Sequence, residues 1–384
     1  MWLRDSTNQV WPYIQFAKEE GHLANMISGL VATQASLVNY DPYANAFNRD
    51  TTGHIGSWQG DATFKRGFMN TRVPAMTSHL HERKFEIDSL LAFLKLSRAY
   101  FNVTSDKSIF TTEWIEAVSK VLEVFEDQQK GSDEQSTGGY FFQRTSPVPT
   151  DTLQHGVGPA SKRTGMLKSP FRPSDDATTF QFLVPANAMA VVELGYIENM
   201  LKSINQTVLA TKAGALAAAV QAGINAHAVI NHPTAGKIMA YEVDGYGSYL
   251  ASDDANVPSL LSLPYLGYCK TDDALYVNTR KFVLSKQNPY YFVGSAGTGV
   301  GSPHIGFGSI WPMSIIMQAQ TSTDDTEILS CLEILKKSAF DGFMHESFSK
   351  DNVQDYTRPW FAWVNSMYGD LIIHLSKTKP HLIF

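Results

Sequence analysis

Cysteine is nearly missing from this chain: its 384 residues include two, Cys269 and Cys331. They form no disulfide framework and no zinc pattern, and read as buried free thiols. Charge is also scarce. Asp, Glu, Lys and Arg make up 18% of the chain, against roughly 25% in an average soluble protein. The net charge is −6 and no Lys/Arg cluster forms a stripe. That excludes a nucleic-acid partner, whose affinity rests on concentrated positive charge. No run reaches the roughly 18 uninterrupted apolar residues of a membrane span. The longest approach, residues 209–230, is broken by Lys212, Gln221, Asn225 and His227 and reads as an alanine-rich helix. A signal peptide is not legible either, because Arg4 and Asp5 stand where a charged start should give way to apolar residues. The compartment therefore stays unassigned. Asn102-Val103-Thr104 and Asn205-Gln206-Thr207 are glycosylation sequons of the kind that arise by chance. Nucleophile and phosphate motifs are absent: there is no G-x-S-x-G, no P-loop and no G-x-G-x-x-G. Gly297-Thr298-Gly299-Val300-Gly301 is glycine-rich, but no clear strand leads into it and no Lys-Ser/Thr follows. No cofactor is implied.

What the chain does have is apolar and aromatic bulk. Hydrophobic residues make up 43%, enough for a sizeable core, and 22 Phe, 16 Tyr and 7 Trp suit a neutral substrate better than a polyanion. Helical periodicity dominates, predicting helices over 8–17, 20–39, 86–101, 111–128, 180–203, 207–228, 257–267, 273–284, 306–320, 323–338 and 360–375. Asp272-Asp273 and Thr323-Asp324-Asp325 supply capping residues for two of them. Strand-like pieces are few, at 139–144 and 237–243. No Pro- or Ser-rich linker divides the chain, so 1–384 reads as a single domain. Its long connections (41–77, 142–176, 241–256, 288–305 and 340–359) alternate with short ones. An all-α toroid of helical hairpins predicts that alternation, with long loops building a site on one face. An α-solenoid is the alternative, but no repeat of fixed period supports it.

The polar and aromatic clusters fall mostly in those connections. Each has a bland reading. Asp253-Asp254 before a helix would satisfy free amides. The run from Glu82 to Asp88 would be a solvated helix start with local ion pairs. Loop Trp and Tyr residues more often plug a core than bind a ligand. A metal site from His79, His81, His304 and His345 has no diagnostic spacing. Asp175-Asp176-Ala177-Thr178-Thr179 does not supply the D-D-x-x-D pattern of terpene cyclases. Taken together, many carboxylates and aromatics on one set of loops suit sugar binding, and glycoside hydrolysis needs only two carboxyl groups.

Six motifs then stand in order along the chain: Met1-Trp2-Leu3-Arg4-Asp5-Ser6, Asp41-Pro42-Tyr43-Ala44-Asn45-Ala46-Phe47, Glu82-Arg83-Lys84-Phe85-Glu86-Ile87-Asp88-Ser89, Arg172-Pro173-Ser174-Asp175-Asp176, Asp253-Asp254-Ala255-Asn256-Val257-Pro258-Ser259 and His345-Glu346-Ser347-Phe348. Together they resemble family-125 glycoside hydrolases, the exo-α-1,6-mannosidases. The resemblance implies an (α/α)6 barrel and metal-independent, inverting removal of a terminal non-reducing α-1,6-linked mannose from an oligosaccharide or N-glycan. It places the general acid at Asp175, with Asp176 as the alternative, and the general base at Glu346. Arg4, Asp5, Glu82, Arg83, Asp253, Asp254, His304 and Trp360 become expected contacts of the mannose pocket. An exo-glycosidase of other specificity, or a sugar-binding relic, are the competing readings. Family members usually carry some tens of residues before the Trp-Leu-Arg-Asp motif, so the resemblance also implies a missing N-terminal segment.

Overall fold

The computed structural model describes residues 1–49, 61, 76–134 and 139–384. Much of the expected connection 41–77, and the middle of the loop at 130–139, lie outside the described residues. The chain divides into two compact units: Met1–Thr7 with Tyr13–Ala228 and Glu242–Leu250, and Asn8–Pro12 with Val229–Tyr241 and Ala251–Phe384. Among the described residues there are ten α-helices: α1 (Leu3–Val10), α2 (Gly21–Tyr40), α3 (Ile87–Thr104), α4 (Thr112–Gln128), α5 (Val184–Ser203), α6 (Thr207–His227), α7 (Ala274–Val283), α8 (Pro312–Gln320), α9 (Asp325–Ser338) and α10 (Ala362–Thr378).

In the first unit α5 packs against α6 and α3, and α2 packs against α3 and α4. α4 shows why its sequence forms a helix. Thr111 accepts a hydrogen bond from the Trp114 amide at 3.1 Å, a cap worth about 1 kcal/mol. Trp114, Val118, Val121, Leu122 and Phe125 then recur on one buried face. α3 differs: every residue from Ile87 to Ser97 is buried, the pattern of a core helix rather than a surface one. It therefore carries its first residues, and the segment leading into it, inside the fold. α6 is long and apolar enough by length and composition to cross a membrane, which the broken run at 209–230 did not foretell. Its buried Ala210, Ala213, Leu216, Val220 and Ile224 repeat three and four apart, and it packs on α5 and α4. Small antiparallel sheets close the unit: Ala46–Phe47 with Leu80–Glu82, and Phe182–Leu183 with Glu242–Val243 and then Tyr249–Leu250.

In the second unit α8 packs against α9 and α10. A hairpin pairs Val229 with Met239 and turns at Gly236, whose φ of +71° favours glycine. Thr279 of α7 accepts from the Met239 amide at 3.0 Å and ties that hairpin to the helix. Ser347–Ser349 lies between Ser309–Ile310 and Asn352–Thr357 in a three-stranded sheet.

Four expectations are corrected. Residues 257–267 form no helix. Pro258 and Pro264 cannot donate to a helical ladder, and the Asp253 carboxylate takes the Leu260 and Leu261 amides at 2.8 and 3.0 Å. The helix expected over 8–17 starts at Leu3 and becomes a 3₁₀ turn at Trp11–Phe16, where Pro12 intervenes. The helix expected from 306 starts at Pro312, because Gly306 and Gly308 have φ of +102° and +85°. Residues 139–144 belong to none of the strands, and the strands that do exist run from two to six residues, mostly too short for an alternating pattern to show.

Candidate active site

The loop through Arg172 and Asp176 is held from both ends. Buried Glu242 accepts Arg172 Nε at 2.6 Å on one oxygen and the Thr179 and Phe180 amides at 2.8 and 2.9 Å on the other. Inside the loop, Asp176 accepts hydroxyls from Thr150 and Ser174, both at 2.8 Å. The Asp175 carbonyl accepts Lys84 Nζ at 3.0 Å. These ties hold Asp175 at a φ of +70°, a left-handed conformation that Asp tolerates better than most residues and that costs of order 1 kcal/mol. The outcome is local: Asp176 is occupied, whereas Asp175 keeps a buried Oδ1 to which nothing donates.

The charges of three acidic groups, Glu82, Glu86 and Asp88, and of Arg4 act on that carboxyl. Arg4 of α1 is buried and ion-paired to Glu86, with Asp88 at 3.2 Å and Asp5 at 3.6 Å. Burial opposes the Arg4 charge, but Glu86, Asp88, Asp5 and Asp175 outweigh it and hold its protonation above the usual range. Glu86 is fully buried at the N-cap position of α3, yet its side chain caps no amide. It faces Arg4 on Oε2, while its Oε1 is buried with no hydrogen-bond partner. Burial pushes Glu86 well up, and Asp175 and Asp88 add to that against the pull of Arg4. Burial, then the charge of Asp175, pushes Glu82 up to about 7. Burial also lowers the neighbouring His81.

Residues next to this cluster serve as its walls. Arg144 binds Glu82 at 2.6 Å, Asp61 at 2.8 Å and Asp151 at 2.9 Å, and Lys84 reaches Asp151 at 2.5 Å. Arg83, expected at the sugar pocket, is turned into the core. Its Nε and Nη2 meet both oxygens of Asp41 at 2.5 and 3.2 Å, where α2 ends.

In the second unit Glu346 is buried and meets Arg358 Nε at 3.2 Å. Arg358 has a φ of +50° and lies over the Phe361 ring. The adjoining His345 is stacked on Tyr356 at 3.7 Å, with Nδ1 2.9 Å from the Pro359 carbonyl. Asp253 gives both oxygens to backbone amides, and burial pushes it up to about 8 against them. Asp254 accepts the Asn256 amide at 3.0 Å and the Ser302 hydroxyl at 3.1 Å. His304 is exposed, edge-on to Trp311. Trp360 is 59% exposed.

A family model described as metal-independent alpha-mannosidase (GH125) matches residues 1–373. The chain belongs to the GH125 family. A curated relative, the meiotically up-regulated gene 157 protein of Schizosaccharomyces pombe, is 45% identical over 392 residues, spanning 100% of this chain and 76% of that protein. Among solved structures, a metal-independent alpha mannosidase of Streptococcus pneumoniae, in a non-productive complex with alpha-1,6-mannobiose, superposes with a TM-score of 0.91. It is 36% identical and covers 99% of this chain and 86% of its own. A bacterial glucoamylase bound to acarbose shares the fold alone, at a TM-score of 0.56 and 14% identity over 97% of this chain and 48% of its own. As a GH125 member the chain is an alpha-mannosidase, a glycoside hydrolase. Among the described residues no three His, Cys, Asp or Glu side chains gather as a metal site would require. The first unit thus brings together Arg4, Asp5, Glu82 and Asp175 from the residues expected, and adds Glu86, Asp88, Lys84 and Arg144. Lys84, Glu86 and Asp88 lay in a quoted motif and Arg144 at the end of the strand-like piece 139–144, but their partners stand tens of residues away, so only the fold discloses the pairing.

Proposed function

We propose that this GH125 chain removes terminal non-reducing α-1,6-linked mannose with inversion, acting as one catalytic domain on an (α/α)6 toroid. The relative bound to alpha-1,6-mannobiose supports the linkage, and its setting in the processing of N-linked glycans supports an oligosaccharide substrate. The observation that carries the reading is Asp175. It is the one member of its Asp-Asp pair with a buried oxygen that accepts nothing from the protein, and its charge acts on the buried Glu82 and Glu86.

Asp175 is the general acid, giving its proton to the departing glycosidic oxygen. Glu346, buried and ion-paired to Arg358, is the general base. Inversion calls for two such carboxyls about 6.5–9.5 Å apart, with a water between the base and the anomeric carbon. Arg4, Asp5 and Glu82 contact the mannose hydroxyls, and His304 and Trp360 contact the sugar from their exposed positions. Arg83, Asp253 and Asp254 support those groups through their buried bonds.

Incubation with α-1,6-mannobiose, followed by proton NMR of the first product, tests the reading. Free β-mannose is the expected result. Initial α-mannose would mean retention and a different pairing of carboxyls, and binding without release would mean a sugar-binding relic.

A further inference from the structure

The segment that carries Glu346 is braced against the one that carries Arg358. The Glu346 amide donates to the Thr357 carbonyl at 3.3 Å, and the Ser347 and Thr357 hydroxyls meet at 2.8 Å. Buried His345 has its Nδ1 2.9 Å from the Pro359 carbonyl and 3.3 Å from that of Arg358, so Nδ1 carries the proton. The Tyr356 ring on which it stacks is fixed in turn, its hydroxyl donating to Asp341 at 2.9 Å. Asn365 of α10 accepts the Met344 amide at 3.0 Å and donates to the Met344 carbonyl at 2.8 Å. Both segments are thus held by bonds in which the side chains of Glu346 and Arg358 take no part.

Arg358 is not needed for that brace, yet its backbone is kept at a φ of +50°. For a long side chain this left-handed conformation costs about 1–3 kcal/mol, and such strain collects at functional sites. Its guanidinium carbon lies 5.2 Å from the centroid of the Phe361 ring, which limits the directions the head can take. From there Nε stands 3.2 Å from Glu346 Oε1, and Glu346 is the one carboxylate it meets among the described residues. The pair is asymmetric: the arginine side chain is 58% exposed and that of the glutamate 5%. A pair with both ends in water would contribute little, whereas here the cation is the single charged partner of a buried carboxyl.

We propose that Arg358 is the positioning residue of the base: it fixes Glu346 by Oε1 and leaves Oε2, which accepts nothing from the described residues, to take the proton of the attacking water. This rests on the reading of Glu346 as general base. In that step the water oxygen bonds to C1 as the C1–O electron pair leaves with the departing oxygen, and the water proton passes to Glu346. Arg358 keeps all its protons, as a guanidinium does in proteins, so its part is to hold the carboxyl and not to transfer.

The test is Arg358→Gly on α-1,6-mannobiose. Glycine accepts the left-handed backbone, so the melting temperature should stay within about 2 °C of the wild type. With the carboxyl no longer held, kcat should fall by about ten- to hundredfold while KM changes little. Guanidinium ion, added far below denaturing concentration, should recover much of the lost kcat, because the exposed position lets it reach Glu346. The fall should persist on α-mannosyl fluoride, whose leaving group needs no proton but whose attacking water still needs a base. Arg358→Gln keeps the stem over Phe361 and should show the same fall in kcat should the glycine variant not fold. A loss that guanidinium does not relieve, a loss that disappears on the fluoride, or a rise in KM at unchanged kcat would each overturn the proposal. Glu346→Gln separates this from the reading beneath it. If that variant is mild, the base assignment has failed and the proposal falls with it; if it is severe while Arg358→Gly is mild, the proposal alone has failed.

Discussion

Of the chain's four Asp-Asp pairs, Asp175-Asp176 in the first compact unit and Asp253-Asp254 in the second are treated oppositely by the fold. At Asp253-Asp254 the oxygens are taken by the Leu260, Leu261 and Asn256 amides and the Ser302 hydroxyl. At Asp175-Asp176 the second residue is taken by two hydroxyls, while the first is raised into a left-handed conformation with Oδ1 undonated. A carboxylate that accepts several amides is a structural element, stabilising a turn that has no helix to satisfy it. A carboxylate held in place with nothing to accept is available for chemistry. What separates them is the supply of donors nearby, which no dipeptide specifies.

Asp175→Asn against Asp176→Asn offers the largest contrast. The first should cut kcat on mannobiose by about 10²–10⁴-fold, the share of a general acid, while mannobiose still binds. The second should act mainly on stability. If Asp176→Asn is the severe lesion instead, the acid moves by one residue and the difference drawn between the two members of the pair is wrong.

A buried ion pair gives the next largest effect. Asp41→Asn removes the carboxylate that faces Arg83 across the core, and calorimetry should show a loss of about 3–5 kcal/mol. A loss under about 1 kcal/mol would mean that the Asp41–Arg83 pair does not hold this part of the core.

Asp253→Asn should cost about 1–3 kcal/mol, because an amide group cannot accept on both sides from the Leu260 and Leu261 amides. An unchanged melting temperature would remove the turn-holding role from this second pair.

How far the sequence disclosed this contrast depends on distance along the chain. α4 was legible because its cap, Thr111, and its apolar stripe are local. The turns over 257–267 were not, because the acceptor that holds them is Asp253, outside the window in which helical periodicity was read. Glu86 was hidden for the same reason. It reads as one charge in a helix start, and its partner Arg4 lies at the chain start. The six motifs pointed to Asp175 and Glu346 as the proposed acid and base, yet they could not say which carboxyls would be occupied.

The pH dependence of stability probes the first unit more gently. Glu82 titrates near 7 in the folded chain, against an ordinary value of 4.5. Between those values folding takes up a proton, so its contribution is full below about 4.5 and is lost as the pH rises through 7. Glu82→Gln should therefore flatten the fall in melting temperature over that window by about 1–2 °C. An unchanged slope would show that Arg144 keeps Glu82 ionised throughout.

The smallest expected effect lies with Trp360, because its ring does not depend on the core. At 59% exposure it loses little packing on truncation, so Trp360→Ala should change the melting temperature by less than about 1 °C. If the ring covers an apolar sugar face, the same variant should raise KM by about tenfold, or about 1.4 kcal/mol, with kcat nearly unchanged. That split is the signature of uniform binding, since the ring would touch the sugar equally before and during bond cleavage. A fall in kcat without a rise in KM would place Trp360 in the transition state, and no kinetic change at all would return it to the ordinary exposed aromatics.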